Sequence, residues 1–257
     1  MVTFDVSPLT PTAQPIVLQA AEIYYRHLSP WLIGLLIHGS AYKGGFIPGC
    51  SDIDLKLYLR QEAFVSGDNL PLDLAISLHR DLARLDPAPF QYIQTQAVFP
   101  QPHGEHENAQ LGPVSGAYHM LWGDLPVPEA TREQAIQSAH RTLKRIPSVI
   151  DSIGNELLQH GGGKLERRVR FLCTDVWPTL YSLRVLQSDD PLDVWRKPKT
   201  VILESLPSYE PIGQAIRNFY QGLCTYYAGE SSVENALQAI THGIHFLSLA
   251  MQWYQAR

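Results

Sequence analysis

The chain has 257 residues, 45% apolar and 18% charged, with a net charge of -5. That length buries a substantial core, as one large domain or two modest ones, and the composition matches an ordinary soluble globular protein. No apolar run approaches membrane-spanning length, and the start MVTFDVSPLTPTAQ has no basic stretch followed by an apolar core, so a cytoplasmic protein without a membrane partner is expected.

In chain order, residues 1–15 hold three prolines and read as an extended arm. Ile16 to Leu28 has helical periodicity that stops near Pro30. Trp31 to His38 reads as a buried strand, Ile53 to Leu59 as a second strand, and Pro71 to Leu85 as a helix. A third strand spans Phe90 to Phe99, a turn-rich loop Gln101 to Pro113, and a fourth short strand Tyr118 to Trp122. The second half is helical. Thr131-x-x-Gln134 has the spacing of a capping box, followed by apolar helix spacing from Ile136 to Leu157, and Gly161-Gly162-Gly163 ends it. Leu165 to Leu186 continues as a helix that Pro178 is expected to kink. Shorter helices follow at Thr200 to Leu206 and Ile212 to Tyr227, and Ser231-x-x-Glu234 caps a last one to Tyr254. The fold class is therefore α+β: a small mixed β-sheet flanked by helices over 1–125, then an α-helical bundle over 126–257.

The most informative stretch is LLIHGSAYKGGFIPGCSDIDL. Gly39 and Ser40 end an apolar run, and after eleven intervening residues Asp52-Ile53-Asp54 opens another. Strand alternation puts Asp52 and Asp54 on one face. Two neighbouring carboxylates stay ionised cheaply only with a cation between them, and hard oxygen ligands suit Mg²⁺, which also takes phosphate oxygens. The Gly-Ser turn supplies backbone N–H groups and a hydroxyl for a phosphate tail. Together these features read as phosphoryl or nucleotidyl chemistry.

With its spacing of His38-Gly39-Ser40 and Ser51-Asp52-Ile53-Asp54-Leu55, this stretch resembles the DNA polymerase β-type nucleotidyltransferase superfamily. The inner Gly-Gly and Pro make it look closest to bacterial aminoglycoside adenylyltransferases. The resemblance implies an N-terminal nucleotidyltransferase fold in which Asp52 and Asp54 are catalytic and hold Mg²⁺. It also implies that Gly39 and Ser40, with the two acids, bind a nucleoside triphosphate, and that AMP passes from ATP to a hydroxyl of a small-molecule acceptor such as an aminoglycoside. The alternatives are a catalytically weakened nucleotide-binding or antitoxin-like protein, and a transferase acting on a protein side chain.

The superfamily adds a third carboxylate from a later strand, but the corresponding run FQYIQTQAVF holds no acid. Gln91, Gln94 or Gln96 stands near that position, and Glu105 or Glu107 of the next loop is either a substitute or, the favoured reading, a solvated loop acid. His103, Glu105, His106 and Glu107 form a loop cluster whose spacing fits no helical zinc motif. Lys56 shares the face of the two acids and Lys43 lies in the turn. His38 reads as a core histidine. Arg141, Lys144 and Arg145 share a helical face, and Asp175 sits among core-like neighbours, where it pairs with an arginine or grips an acceptor. The net charge argues against a nucleic-acid partner. Three widely spaced cysteines without a CxxC indicate neither a disulfide framework nor zinc.

Overall fold

In the computed structural model, Leu32–His38 (β1) and Ile53–Leu59 (β2) take the two central places of a four-stranded sheet. Ile93–Val98 (β3) lies beside β2 and Tyr118–Gly123 (β4) beside β1. The most apolar strands sit centrally because a central strand can be covered on both faces. β1 is antiparallel to β2 and β4, while β2 and β3 are parallel, so the sheet is mixed. The structure describes residues 2–100, 111–229 and 231–257. They divide into two units, Met1–Ala130 and Thr131–Arg257.

In the first unit, Gln14–Leu28 (α1) and Leu72–Leu82 (α3) cover one face of the sheet, and Ser40–Lys43 (α2) is a single turn after β1. Proline in its first turn starts α1, where its missing N–H costs nothing. Val17, Ala20, Ala21, Tyr24 and Leu28 of α1 bury against Leu35, Ile37, Leu55 and Leu57. Each fully buried Leu or Ile contributes about 1.5–3 kcal/mol. The Tyr24 hydroxyl lies 2.6 Å from Thr95 Oγ1, joining α1 to β3. α3 stops three residues short of the expected Leu85, with Pro87 and Pro89 ahead. The expected N-terminal arm is part of the core: Phe4 and Leu9 are buried in it, and the Asp5 N–H donates to the Leu121 carbonyl at 3.0 Å.

The second unit consists of Arg132–Lys144 (α4), Ile146–Glu156 (α5), Lys164–Gln187 (α6), Pro191–Arg196 (α7), Lys199–Glu204 (α8), Pro211–Tyr227 (α9) and Val233–Gln255 (α10). Thr131 and Gln134 form the capping box of α4. The single helix expected through Leu157 is two, because Pro147 in the first turn of α5 has no N–H to continue the ladder. α6 runs through Pro178 without ending. The unanticipated α7 is started by Asp190, which accepts from the Asp193 N–H, and by Pro191. Ser232, not Ser231, caps α10, accepting from the Asn235 N–H. α9 packs on α10, and α4 and α10 pack on α6. At Gly243 of α10 a Cβ would stand 2.5 Å from Leu172 Cδ2, so any side chain there would have to displace Leu172 of α6. No helix among the described residues is long and apolar enough to cross a membrane.

Candidate functional site

Strand register assembles the site face. His38, Asp54 and Gln94 form one row across β1, β2 and β3, with Tyr118 of β4 beside His38. Leu36, Lys56, Gln96 and Met120 form the next row. Alternation turns Ile37, Leu55 and Thr95 to the opposite face, toward the helices. Asp52 precedes β2 by one residue and, two residues from Asp54, keeps to its face. The Tyr92 hydroxyl donates to Asp52 Oδ2 at 2.8 Å and also lies 2.8 Å from Gln94 Oε1. Tyr92 was missed in the sequence, although Ile53 pairs with Ile93 and the preceding pair is therefore Asp52 beside Tyr92.

Gly39 ties the turn to the second acid. Its φ of 72° and ψ of -156° lie in a region essentially restricted to glycine. A Cβ there would stand 2.0 Å from Asp54 Oδ2, so the carboxylate fills the space that a side chain would need. Ser40 opens α2, which has no side-chain cap. Its first-turn N–H groups have no partner within the helix, as at any helix start. The loop from α2 to β2 is braced from within. Ser51 is buried, its hydroxyl accepts from the Ile47 N–H at 2.8 Å, and its carbonyl accepts from the Gln91 N–H at 2.8 Å. This bracing sets Asp52, the next residue.

The charges around the row are mixed. Burial pushes the His38 imidazole down to about 4, and the Lys56 and Lys43 ammonium groups add to the shift, so the ring is neutral at physiological pH. Burial also lowers Lys56. Tyr118 is pushed up to about 12 by burial and by Glu129, to which its hydroxyl donates at 2.7 Å. Gln94 and Gln96 are exposed on the site face, and β3 supplies no carboxylate. The Gln91 side-chain oxygen is buried with no hydrogen bond among the described residues. His103, Glu105, His106 and Glu107 lie outside the described residues.

The acids fit a nucleotide-linked Mg²⁺. Among the described residues no three His, Cys, Asp or Glu side chains gather to hold a metal on their own. Asp52 and Asp54 offer two carboxylates, which is the protein share typical of Mg²⁺ that completes its shell from phosphates and water.

In the second unit, Asp175 is taken up by arginines: Arg145 Nη2 lies 3.2 Å from Oδ1 and Arg168 Nη2 3.6 Å from Oδ2. Arg168, only 6% exposed, also donates to Glu156 at 2.8 Å. Arg145, one of the three aligned cations, thus reaches Asp175 while its side chain stays exposed.

No protein-family model matches the chain, and no curated protein matches it in sequence. Among solved structures it is similar to the spectinomycin adenyltransferase AAD(9) from Enterococcus faecialis, whose crystal structure holds ATP and spectinomycin. The likeness has a TM-score of 0.52 at 14% identity and covers 93% of this chain and 98% of that one. The chain therefore has a nucleotidyltransferase fold joined to a helical part, as the sequence resemblance implied.

Proposed function

We propose that this protein transfers AMP from ATP to a hydroxyl of a small acceptor such as an aminoglycoside, with Asp52 and Asp54 holding Mg²⁺. In the reaction the acceptor oxygen bonds to the α-phosphorus as the bond to the β-phosphate breaks, releasing pyrophosphate and a proton. The observation that carries this reading is the packing of the Asp54 carboxylate into the space of the missing Gly39 Cβ, on the face shared with Asp52. It couples the turn that would meet phosphate to the acids that would meet the metal. When bound, Mg²⁺ offsets phosphate charge and aligns the leaving group. The chain's own residues do the rest. Gly39 lets the backbone approach the nucleotide, Ser40 offers its hydroxyl and N–H, and Lys43 and Lys56 place positive charge around His38. The fold likeness to an adenyltransferase supports the same reading.

One observation favours a second reading, a nucleotide-binding protein with weakened transfer. Gln94 stands beside Asp54, and an amide takes up no proton at neutral pH. Incubation with α-phosphate-labelled ATP, Mg²⁺ and an aminoglycoside panel separates the two. Transfer of label to an acceptor, abolished by Asp54→Asn, is expected. Label appearing instead on a protein identifies a side-chain acceptor. Bound but intact nucleotide with no transfer favours the binding reading.

A further inference from the structure

This inference rests on the reading of Gly39 and Ser40 as the turn that meets phosphate. That turn opens α2, a single helical turn closed by the Lys43 N–H on the Gly39 carbonyl and the Gly44 N–H on the Ser40 carbonyl, each at 2.9 Å. Bonds within one turn do not repay the backbone freedom they fix, so α2 needs support from outside itself. The N-terminal arm supplies it. The Ala41 carbonyl accepts two hydrogen bonds from Thr10, one from its N–H and one from its hydroxyl, both 3.1 Å long. Thr10 is itself anchored. Its carbonyl accepts the Ala13 N–H at 2.9 Å and the Gln14 N–H at 3.2 Å where α1 begins, and α1 packs on the sheet. The arm also reaches α2 by a second route. The Tyr42 ring stacks on His119 of β4, with centroids 6.1 Å apart and 24° between the planes. His119 Nε2 lies 2.8 Å from the Asp5 carbonyl and 3.2 Å from the Asp5 carboxylate. Both of those groups are acceptors, so this nitrogen carries a proton and donates. Ala41 is fully buried among these contacts and follows Ser40 directly, so any shift of Ala41 is passed to the turn.

We propose that Thr10 is a positioning residue for nucleotide binding, which through Ala41 sets where Gly39 and Ser40 meet the phosphates. Thr10→Val keeps the shape and the N–H but removes the hydroxyl, whereas Thr10→Ser keeps the hydroxyl. Calorimetric titration of the full chain with ATP and Mg²⁺ gives an affinity about 5-fold lower in Thr10→Val, the size of one lost neutral hydrogen bond. Thr10→Ser restores it. A purely structural Thr10 would lower the melting temperature and leave the affinity of the folded protein as it was. By linkage, a bond that favours the nucleotide-binding form of the turn is favoured by nucleotide in return. Hydrogen exchange of the Thr10 amide in the wild type therefore slows on adding ATP and Mg²⁺, and by more than that of the Ser29 amide. Ser29 donates to the Tyr25 carbonyl at the far end of α1 and is the internal control. Wild-type affinity in folded Thr10→Val overturns the proposal, and so does a Thr10 amide that responds no more than Ser29. Thr10→Ser as weak as Thr10→Val overturns it as well. No binding of ATP by the wild type, with or without Mg²⁺, contradicts the proposed function itself and removes this inference with it.

Discussion

Replacing Gly39 by alanine brings two separate effects together at one atom. The backbone there, at φ 72° and ψ -156°, is one that L-residues adopt only under strain of about 1–3 kcal/mol. The new Cβ would also stand 2.0 Å from Asp54 Oδ2. An ordinary contact begins near 3.4 Å, so the carboxylate or the turn must move by about 1.4 Å. Misplacing a reacting group by about 1 Å costs on the order of 10²-fold in rate. Gly39→Ala therefore lowers the melting temperature by several degrees, at about 2–4 °C per kcal/mol for a chain of this size. It also lowers adenylyl transfer about 100-fold. Thermal melting and labelled transfer measured on the same preparation separate the two effects. Wild-type melting with wild-type nucleotide affinity and turnover would refute the link between the turn and Asp54.

Other changes test the scaffold and its electrostatics. Tyr24→Phe removes the 2.6 Å contact with Thr95 and lowers the unfolding free energy by about 1 kcal/mol in a urea titration; no change would mean that water replaces it. Arg168→Ala leaves Asp175 and Glu156 short of a buried partner and costs about 3–5 kcal/mol. A loss below about 1 kcal/mol there would show that solvent and Arg145 suffice. His38 takes up a proton near 6.5 when unfolded but only near 4 when folded. The unfolded state then binds more protons between those values, so this group makes stability rise with pH from about 4 to 6.5, by up to roughly 3 kcal/mol. His38→Gln flattens that part of the profile, and an unaltered slope would show the ring to be solvated when folded.

The parts of the fold legible in the sequence are those where one periodicity dominates. β1 and β2 stand out because their apolar residues fill the sheet centre, and α1 because its apolar face is continuous. The breaks were less visible. Pro147 sits in a run whose apolar spacing continues across it, and pattern alone does not register a missing N–H. Phe4 and Leu9 lie among prolines and hydroxyl residues, so only tertiary contact shows that they belong to the core. At the site, spacing was enough to put Asp52 and Asp54 on one strand face. Tyr92 was not visible because its partner is forty residues away and is fixed by parallel register, which no local pattern encodes. The packing of Asp54 on Gly39 likewise depends on a backbone angle that the letter G permits without specifying.

Calorimetric titration of ATP into the protein with and without Mg²⁺, for the wild type and for Asp52→Asn with Asp54→Asn, tests the central claim most directly. The account predicts that the wild type binds ATP more tightly with Mg²⁺ and that the double variant, still folded, loses that enhancement. Equal affinity in both proteins, or no effect of Mg²⁺ on the wild type, would contradict it.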